Sequence, residues 1–390
     1  MEKSMIDHGI VLPIINAALN GDNSKIDESF SVEEYLPFVQ SQQIEALFIA
    51  GLKAAGIKLD RTLRDLYIRA TLINDHQLDM AEKLYSLFSE HYIDYMPLKG
   101  CILKGFYPAP EMRSMSDLDI LVRIEQYNQI RPLMLENGFI EDVESDHEYI
   151  WNKDGVHIEL HKRLIPSYNK DYYAYFGEGW QLAKPASAPY RYEMSPEDTF
   201  IFIFTHYAKH YRDAGVGIRQ GLDLYVYRKA YPDMDEDYVR SKLKLLQLDR
   251  FYENTMHMLH VWFDGHTHTE ASQLISDRLF DNGVFGTKTD SLQSTMLKQV
   301  NAHGTIQKAK VVNWLDTLFL PYASMRKKYS VLEKCPVLLP FMWVVRWFDV
   351  LLNKRSRIKI KVEQEKTASE KNVNAYREML HKSGLDFNFK

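Results

Sequence analysis

Two cysteines in a chain of 390 residues, Cys101 and Cys335, cannot build a disulfide framework or a four-thiolate zinc site. Both are expected to stay free thiols, which fits a cytoplasmic compartment. An excess of either charge is also missing. With 48 Lys and Arg against 53 Asp and Glu, the formal net charge is -5 and the pI is near 6.3. That total argues against extended nucleic-acid binding, although a local basic groove is still allowed. Long apolar runs are absent too. The most apolar late segment, Pro336 to Leu352, is interrupted by Pro340, Arg346 and Asp349. It is too short for an untilted span, so no transmembrane segment is expected; the segment reads as a buried or partner-facing helix, with membrane-surface docking as the lesser alternative. Gly9 to Leu19 is apolar, but acidic Glu2 and Asp7 precede it and no small-residue cleavage site follows, so no secretory signal is expected. There is no internal repeat and no low-complexity tract.

What is present is ordinary globular material, 45% hydrophobic and 26% charged, enough for two domains or for one domain with a helical appendage. Apolar spacing predicts helices over Val32 to Ala55 and, with Asp60 as N-cap, from there to about Glu90, where Met80, Leu84 and Leu87 would face a core. A strand at Tyr95 to Leu98, a short helix after Lys99, a strand through Asp117, a helix from Glu125 to Asn137 ended by Gly138, and a strand at Phe139 to Val143 follow. Alternating segments at His147 to Asn152 and Val156 to Leu160 flank Asp154-Gly155, a hairpin signal. From Ser195 the period becomes helical, with Ser195 as N-cap and Pro196 in the first turn. Further helices are expected at Asp235 to Phe263, Glu270 to Asp281, Thr305 to Leu320 and Leu338 to Leu352, and a solvated or mobile charged run at Lys354 to Lys371.

The chain is organised around Met96 to Val122. Asp117 and Asp119 alternate with Leu118 and Ile120, and a strand sends alternate side chains to opposite faces, so the two carboxylates share one face. Like charges side by side raise at least one pKa, and a divalent cation relieves the repulsion. The plain alternative is a polar face on a half-buried strand.

With Leu98-Lys99-Gly100, Tyr107-Pro108 and the run from Arg113 to Asp119, the stretch resembles the nucleotidyltransferase superfamily. Specifically, it resembles the uncharacterised bacterial group with an L-K-G, Y-P and R-x-x-x-D-x-D signature. The resemblance covers roughly Tyr92 to Leu164 and thins out toward Asp223. Together with the predicted elements it points to an α+β fold: a small mixed-sheet nucleotidyltransferase core at 93–194, flanked by an N-terminal helical layer at 1–92 and a C-terminal helical domain at 195–390. It also implies a metal-binding catalytic pair, Asp117 and Asp119. Mg2+ or Mn2+ is the expected cofactor, a nucleoside triphosphate, ATP by expectation, the donor, and an unidentified hydroxyl compound the acceptor.

Two-metal chemistry needs a third acid from a neighbouring strand. On Val156 to His161, alternation puts His157, Glu159 and His161 on one face, with one of them expected as the ligand and the others as neighbours. An acid-Leu-His strand follows the D-x-D strand in the resembling family, so Glu159 is the carry-over: it would bind one metal and lower the pKa of the acceptor hydroxyl. Lys99 and Gly100 stand where the superfamily has Gly-Ser at a helix start, and Cys101 replaces the serine. Lys99 would supply the charge there, and Gly100 a close backbone approach to phosphate. Arg113 and Ser114 would reach the triphosphate, or Arg113 would pair with Asp117. His206 and His210 share a helical face, and Tyr207 stands where a zinc hydrolase would need glutamate. With Arg219 and Asp223 they match a paired-histidine helix of the family and, like His161, are candidates for lining the substrate pocket; a purely structural role is the alternative. Two rival functions share these residues: a D-x-D metal-dependent glycosyltransferase, and a non-catalytic nucleotide-binding protein that docks a partner.

Overall fold

The computed structural model describes residues 6–23, 30–142, 145–353 and 369–386. Its contacts group the chain into two units, one of Met1–His210, Val216–Phe285 and Ser383–Leu385, the other of Tyr211–Gly215, Gly286–Lys382 and Asp386–Lys390. The change from sheet to helix expected near residue 195 is a change of element type inside the first unit.

That unit begins with α1 (His8–Asn20), α2 (Val32–Ser41), α3 (Glu45–Ala54) and α4 (Arg61–Glu90). Asp60 caps α4 as expected, accepting from the Leu63 amide at 2.8 Å. The sheet follows: β1 (Tyr95–Pro97), β2 (Leu118–Val122), β3 (Ile140–Glu141), β4 (Glu148–Lys153) and β5 (Val156–His161), in the order β1-β2-β5-β4-β3. Helix α5 (Gly100–Leu103) lies between β1 and β2, and α6 (Tyr127–Glu136) after β2. Only the β2–β5 pair is parallel, which makes the small sheet mixed. The hairpin turns on Asp154 and Gly155, with φ of 49° and 79°. Two successive left-handed residues make the turn whose twist matches the flanking strands, and glycine takes the second at no steric cost.

One face of the sheet is the core. Leu118, Ile120, Val122, Ile158 and Leu160 pack there with Leu84 and Phe88 of α4 and Ile130 and Met134 of α6. The strand period then sends Asp119, Glu159 and His161 to the other face. Expected strand Phe139 to Val143 shrinks to Ile140–Glu141, and Val143 lies outside the described residues.

The helices after the sheet are α7 (Lys170–Phe176), α8 (Pro196–Asp213), α9 (Ile218–Ala230), α10 (Glu236–Leu245), α11 (Asp249–Asp264) and α12 (Glu270–Asp281), with a two-stranded ribbon, β6 (Ala183–Pro185) and β7 (Tyr192–Met194), between α7 and α8. The Ser195 hydroxyl accepts from the Asp198 amide at 3.1 Å, the cap expected for α8. The single helix expected over Asp235 to Phe263 is two helices, broken where Gln247 takes a φ of 56°. Ribbon, α7 and α9 were not foreseen.

The second unit holds α13 (Lys288–His303), α14 (Ile306–Leu318), α15 (Tyr322–Lys328), α16 (Val331–Lys334), α17 (Leu339–Asn353) and most of α18 (Glu370–Ser383). Met325, Leu332 and Met342 form a small core there. Residues 354–368 of the expected charged run lie outside the described residues, and Glu370 and Lys371 open α18 instead. No described helix is long and apolar enough to cross a membrane.

Ile158 is fully buried on β5, which pairs with β2 on one side and its hairpin partner β4 on the other. Ile158→Ala should cost about 2–5 kcal/mol of unfolding free energy through lost transfer energy and an unfilled cavity. Urea unfolding followed by circular dichroism measures it.

Candidate functional site

Strand register builds the centre of the site. In the parallel β2–β5 pair Asp119 stands opposite Glu159, and Leu121 opposite His161. Asp119, Glu159 and His161 offer donor atoms that all lie within 4.8 Å of one another, a set able to hold a metal ion. Asp119 is 2% exposed, and its Oδ1 accepts from Lys99 Nζ at 2.7 Å and is 2.7 Å from His161 Nε2. His161 Nε2 is also 3.6 Å from Glu159 Oε2, while His157 Nε2 lies 3.6 Å from Glu159 Oε1. His161 Nδ1 is buried without a hydrogen-bond partner. Two carboxylates and an imidazole are a donor set that can hold a divalent cation.

Charge is concentrated here. Burial opposes ionisation of Asp119, but Lys99 and His161 outweigh it and hold the carboxyl well below the usual range. Burial and the Lys99 charge oppose protonation of His161, yet its bonds to Asp119 and Glu159 leave its pKa raised. Asp117, just before β2, is half-buried and stands outside the group of three donors. Burial, then the Asp119 carboxylate, pushes Asp117 up to about 6. The expected metal ligands were Asp117, Asp119 and Glu159; the close donor set has His161 where Asp117 was expected.

Lys99 reaches Asp119 from a strained backbone, φ 40° and ψ -112°, at the start of α5. A non-glycine residue there costs about 1–3 kcal/mol, and such strain clusters at working sites. Gly100 has a packing reason. A Cβ at this position would lie 2.6 Å from Arg113 Nη1 and 2.7 Å from Met115 Sδ, so glycine is what lets these side chains close over α5.

The structure commits Arg113 and Ser114 to protein partners. Arg113 Nε and Nη2 donate to Asp223 Oδ1 and Oδ2 at 3.2 and 3.0 Å, and the Tyr107 hydroxyl donates to Oδ1 at 2.9 Å. Arg113 is paired with Asp223, not with Asp117. Burial disfavours the guanidinium charge, but Asp223 keeps its pKa raised. Ser114 Oγ donates to the Gln43 carbonyl at 2.5 Å, and Arg219 Nη1 donates to Gln43 Oε1, the Ser114 carbonyl and Ser114 Oγ at 2.7, 3.1 and 3.2 Å. Burial and Arg113 lower Arg219 to about 10. Four residues expected at the nucleotide or the pocket thus tie the loop before β2 to α9 and to the α2–α3 turn.

His206 and His210 share a face of α8, with their Nε2 atoms 3.1 Å apart. Burial, then His210 and Lys99, holds His206 well below its ordinary pKa, so one of the pair stays neutral beside the Lys99 charge. Sequence reasoning missed Gln43, whose partners lie 71 and 176 residues away, and the buried Lys104, which donates to Asn74 30 residues away, because nothing local marks such partners.

A small mixed sheet with carboxylates gathered on its uncovered-by-core face, set among helices, defines a nucleotidyltransferase-type architecture. The chain belongs to the family described as uncharacterised nucleotidyltransferases, which it matches over residues 28–264. Among solved structures it is similar to the antibiotic-resistance factor ANT(2'')-Ia, at 12% identity and a TM-score of 0.34, covering 48% of this chain and 99% of that one. No curated protein matches.

Replacing Arg113 with Met would leave Asp223 buried without its guanidinium, a loss of about 3–5 kcal/mol in folding free energy. Arg113→Lys should recover only part of it, because lysine cannot make the two-pronged contact. Denaturant midpoints of both variants test this.

Proposed function

We propose that the protein transfers a nucleoside monophosphate from a nucleoside triphosphate, by expectation ATP, to a hydroxyl acceptor, with Asp119, Glu159 and His161, assisted by Asp117, holding Mg2+ or Mn2+. The observation that carries this reading is the Asp119–Glu159 register, two acids from two strands with His161 beside them. Bound there, the metal would neutralise charge building on the phosphate oxygens. Lys99 Nζ, now on Asp119, is the cation that would meet the triphosphate once that carboxylate is otherwise engaged. Glu159 takes the proton of the acceptor hydroxyl at a carboxylate oxygen. The acceptor oxygen bonds to the α-phosphorus as the bond from that phosphorus to the bridging oxygen breaks, and pyrophosphate leaves. Family membership supports nucleotidyl transfer over the glycosyltransferase alternative.

Asp119→Asn should lower metal-dependent pyrophosphate release by about a hundredfold or more, the scale seen when one charge-stabilising group is lost. Calorimetry of the same variant reads metal-dependent nucleotide binding; undiminished binding and release would overturn the assignment. A pH dependence follows from Asp117. With a pKa near 6 it is protonated in more acidic solution, and His161, whose pKa is raised, must also lose its proton to bind the ion, so Mn2+ affinity should fall as the pH drops toward and through 6. In Asp117→Asn the fall around pH 6 should be shallower, with the His161 part of the profile remaining.

A further inference from the structure

A cleft of about 340 Å3 lies among α3, α4 and the loop that leads into β2, a volume suited to a small molecule. Arg69 and Asn74 of α4, Glu111, Ser114 and Ser116 of the loop, and Lys104 line it. Lys104 is 2% exposed. Its ammonium donates to Asn74 Oδ1 at 2.6 Å and, at 3.5 Å, to the Pro110 carbonyl, and no described carboxylate pairs with it. One full charge and three donors are therefore served by an amide and a distant carbonyl. Burial, then the neighbouring Arg113 charge, holds Lys104 down to about 8, as expected of a cation without a counter-ion.

Glu111 accepts from the Tyr67 hydroxyl at 2.8 Å and its charge reaches Lys104 without pairing with it, and Glu45 lies in the field of Arg219 and Arg69. The wall of the cleft continues into the residue before β2. Ser116 immediately precedes Asp117, and Arg219, which braces Ser114 and Gln43 in the wall, feels the Asp117 carboxylate.

We propose that this cleft is the acceptor subsite, and that the acceptor is a small molecule carrying an anionic group, a carboxylate or a phosphate, that binds Lys104 while its hydroxyl points past Ser116 toward Asp117. The assignment rests on the nucleotidyl-transfer reading above for the reaction, but the anion site stands on Lys104 and the cleft alone. A buried ammonium is costly to keep unless something compensates it, and an anion entering from solvent does so. The modest volume selects a metabolite-sized acceptor over a polymer.

Calorimetric titrations with inorganic phosphate and, separately, with malonate test it, each in the presence of saturating Mg2+ and a non-hydrolysable ATP analogue that fills the nucleotide site. At least one anion should bind the wild-type protein, and the tighter of the two names the acceptor's group. Lys104→Gln should weaken that binding by about tenfold or more, a loss of about 1.4 kcal/mol or more, while the affinity for the ATP analogue stays within about twofold. Ala70→Trp, which fills the cleft from α4 and leaves Lys104 intact, should do the same and decides the matter if Lys104→Gln does not fold. Wild-type anion affinity in both variants, or no anion binding to the wild type, overturns the proposal. Failure of the wild type to bind the ATP analogue would instead sink the nucleotidyl-transfer reading, and the same titrations without nucleotide would still decide the anion site.

Discussion

Everything at this site depends on the pairing of β2 with β5. The parallel register puts Asp119 against Glu159 on one face of the sheet while Leu118, Ile120, Ile158 and Leu160 fill the core on the other. Because the side-chain period of a strand is two, a slip of one residue would bury the acids and expose the aliphatics. The hydrophobic core therefore enforces the position of the carboxylates. Packing energy holds together charges that would otherwise repel.

Those charges are balanced locally before any ligand arrives. Lys99 and His161 both contact one oxygen of Asp119, and Lys99 does so from a backbone conformation that lysine rarely adopts. A cation resting on a carboxylate in this way compensates a charge that burial would otherwise make costly. Around this centre runs a second polar layer, in which Arg113, Tyr107 and Asp223 lock the loop before β2 to α9, and Arg219 and Ser114 lock it to Gln43. Each of its buried groups needs its partner, since a buried polar group left alone costs more than a made bond gains. Rigidity of that loop is what fixes the starting point of β2, and so the place of Asp117.

Much of this was legible from residues in order. Alternation along Leu118 to Val122 and Val156 to His161 predicted which side chains share a face, the Asp154-Gly155 pair predicted the hairpin, and Asp60 and Ser195 predicted two helix starts. These signals are local: each depends on residues a few positions apart. The roles of Arg113, Ser114, Arg219 and Asp223 were harder to read. An arginine suited to a triphosphate is equally suited to a buried aspartate, and only the fold shows that Arg113 meets Asp223, 110 residues away. The break at Gln247 was invisible for a related reason, since apolar spacing continues across it.

The sequence by itself determined that Asp119 turns away from the aliphatic face of its strand, that a hairpin carrying Glu159 and His161 follows, and that helices surround them, because strand period, turn chemistry and helix caps are written in neighbouring residues. Only the tertiary structure decided that His161 joins Asp119 and Glu159, that Lys99 rests on Asp119, and that Lys104 is buried beside a cleft without a carboxylate partner among the described residues. Those outcomes depend on which strands pair in which register and on how α4 packs against them, and such long-range geometry is set by the whole chain burying its apolar surface at once.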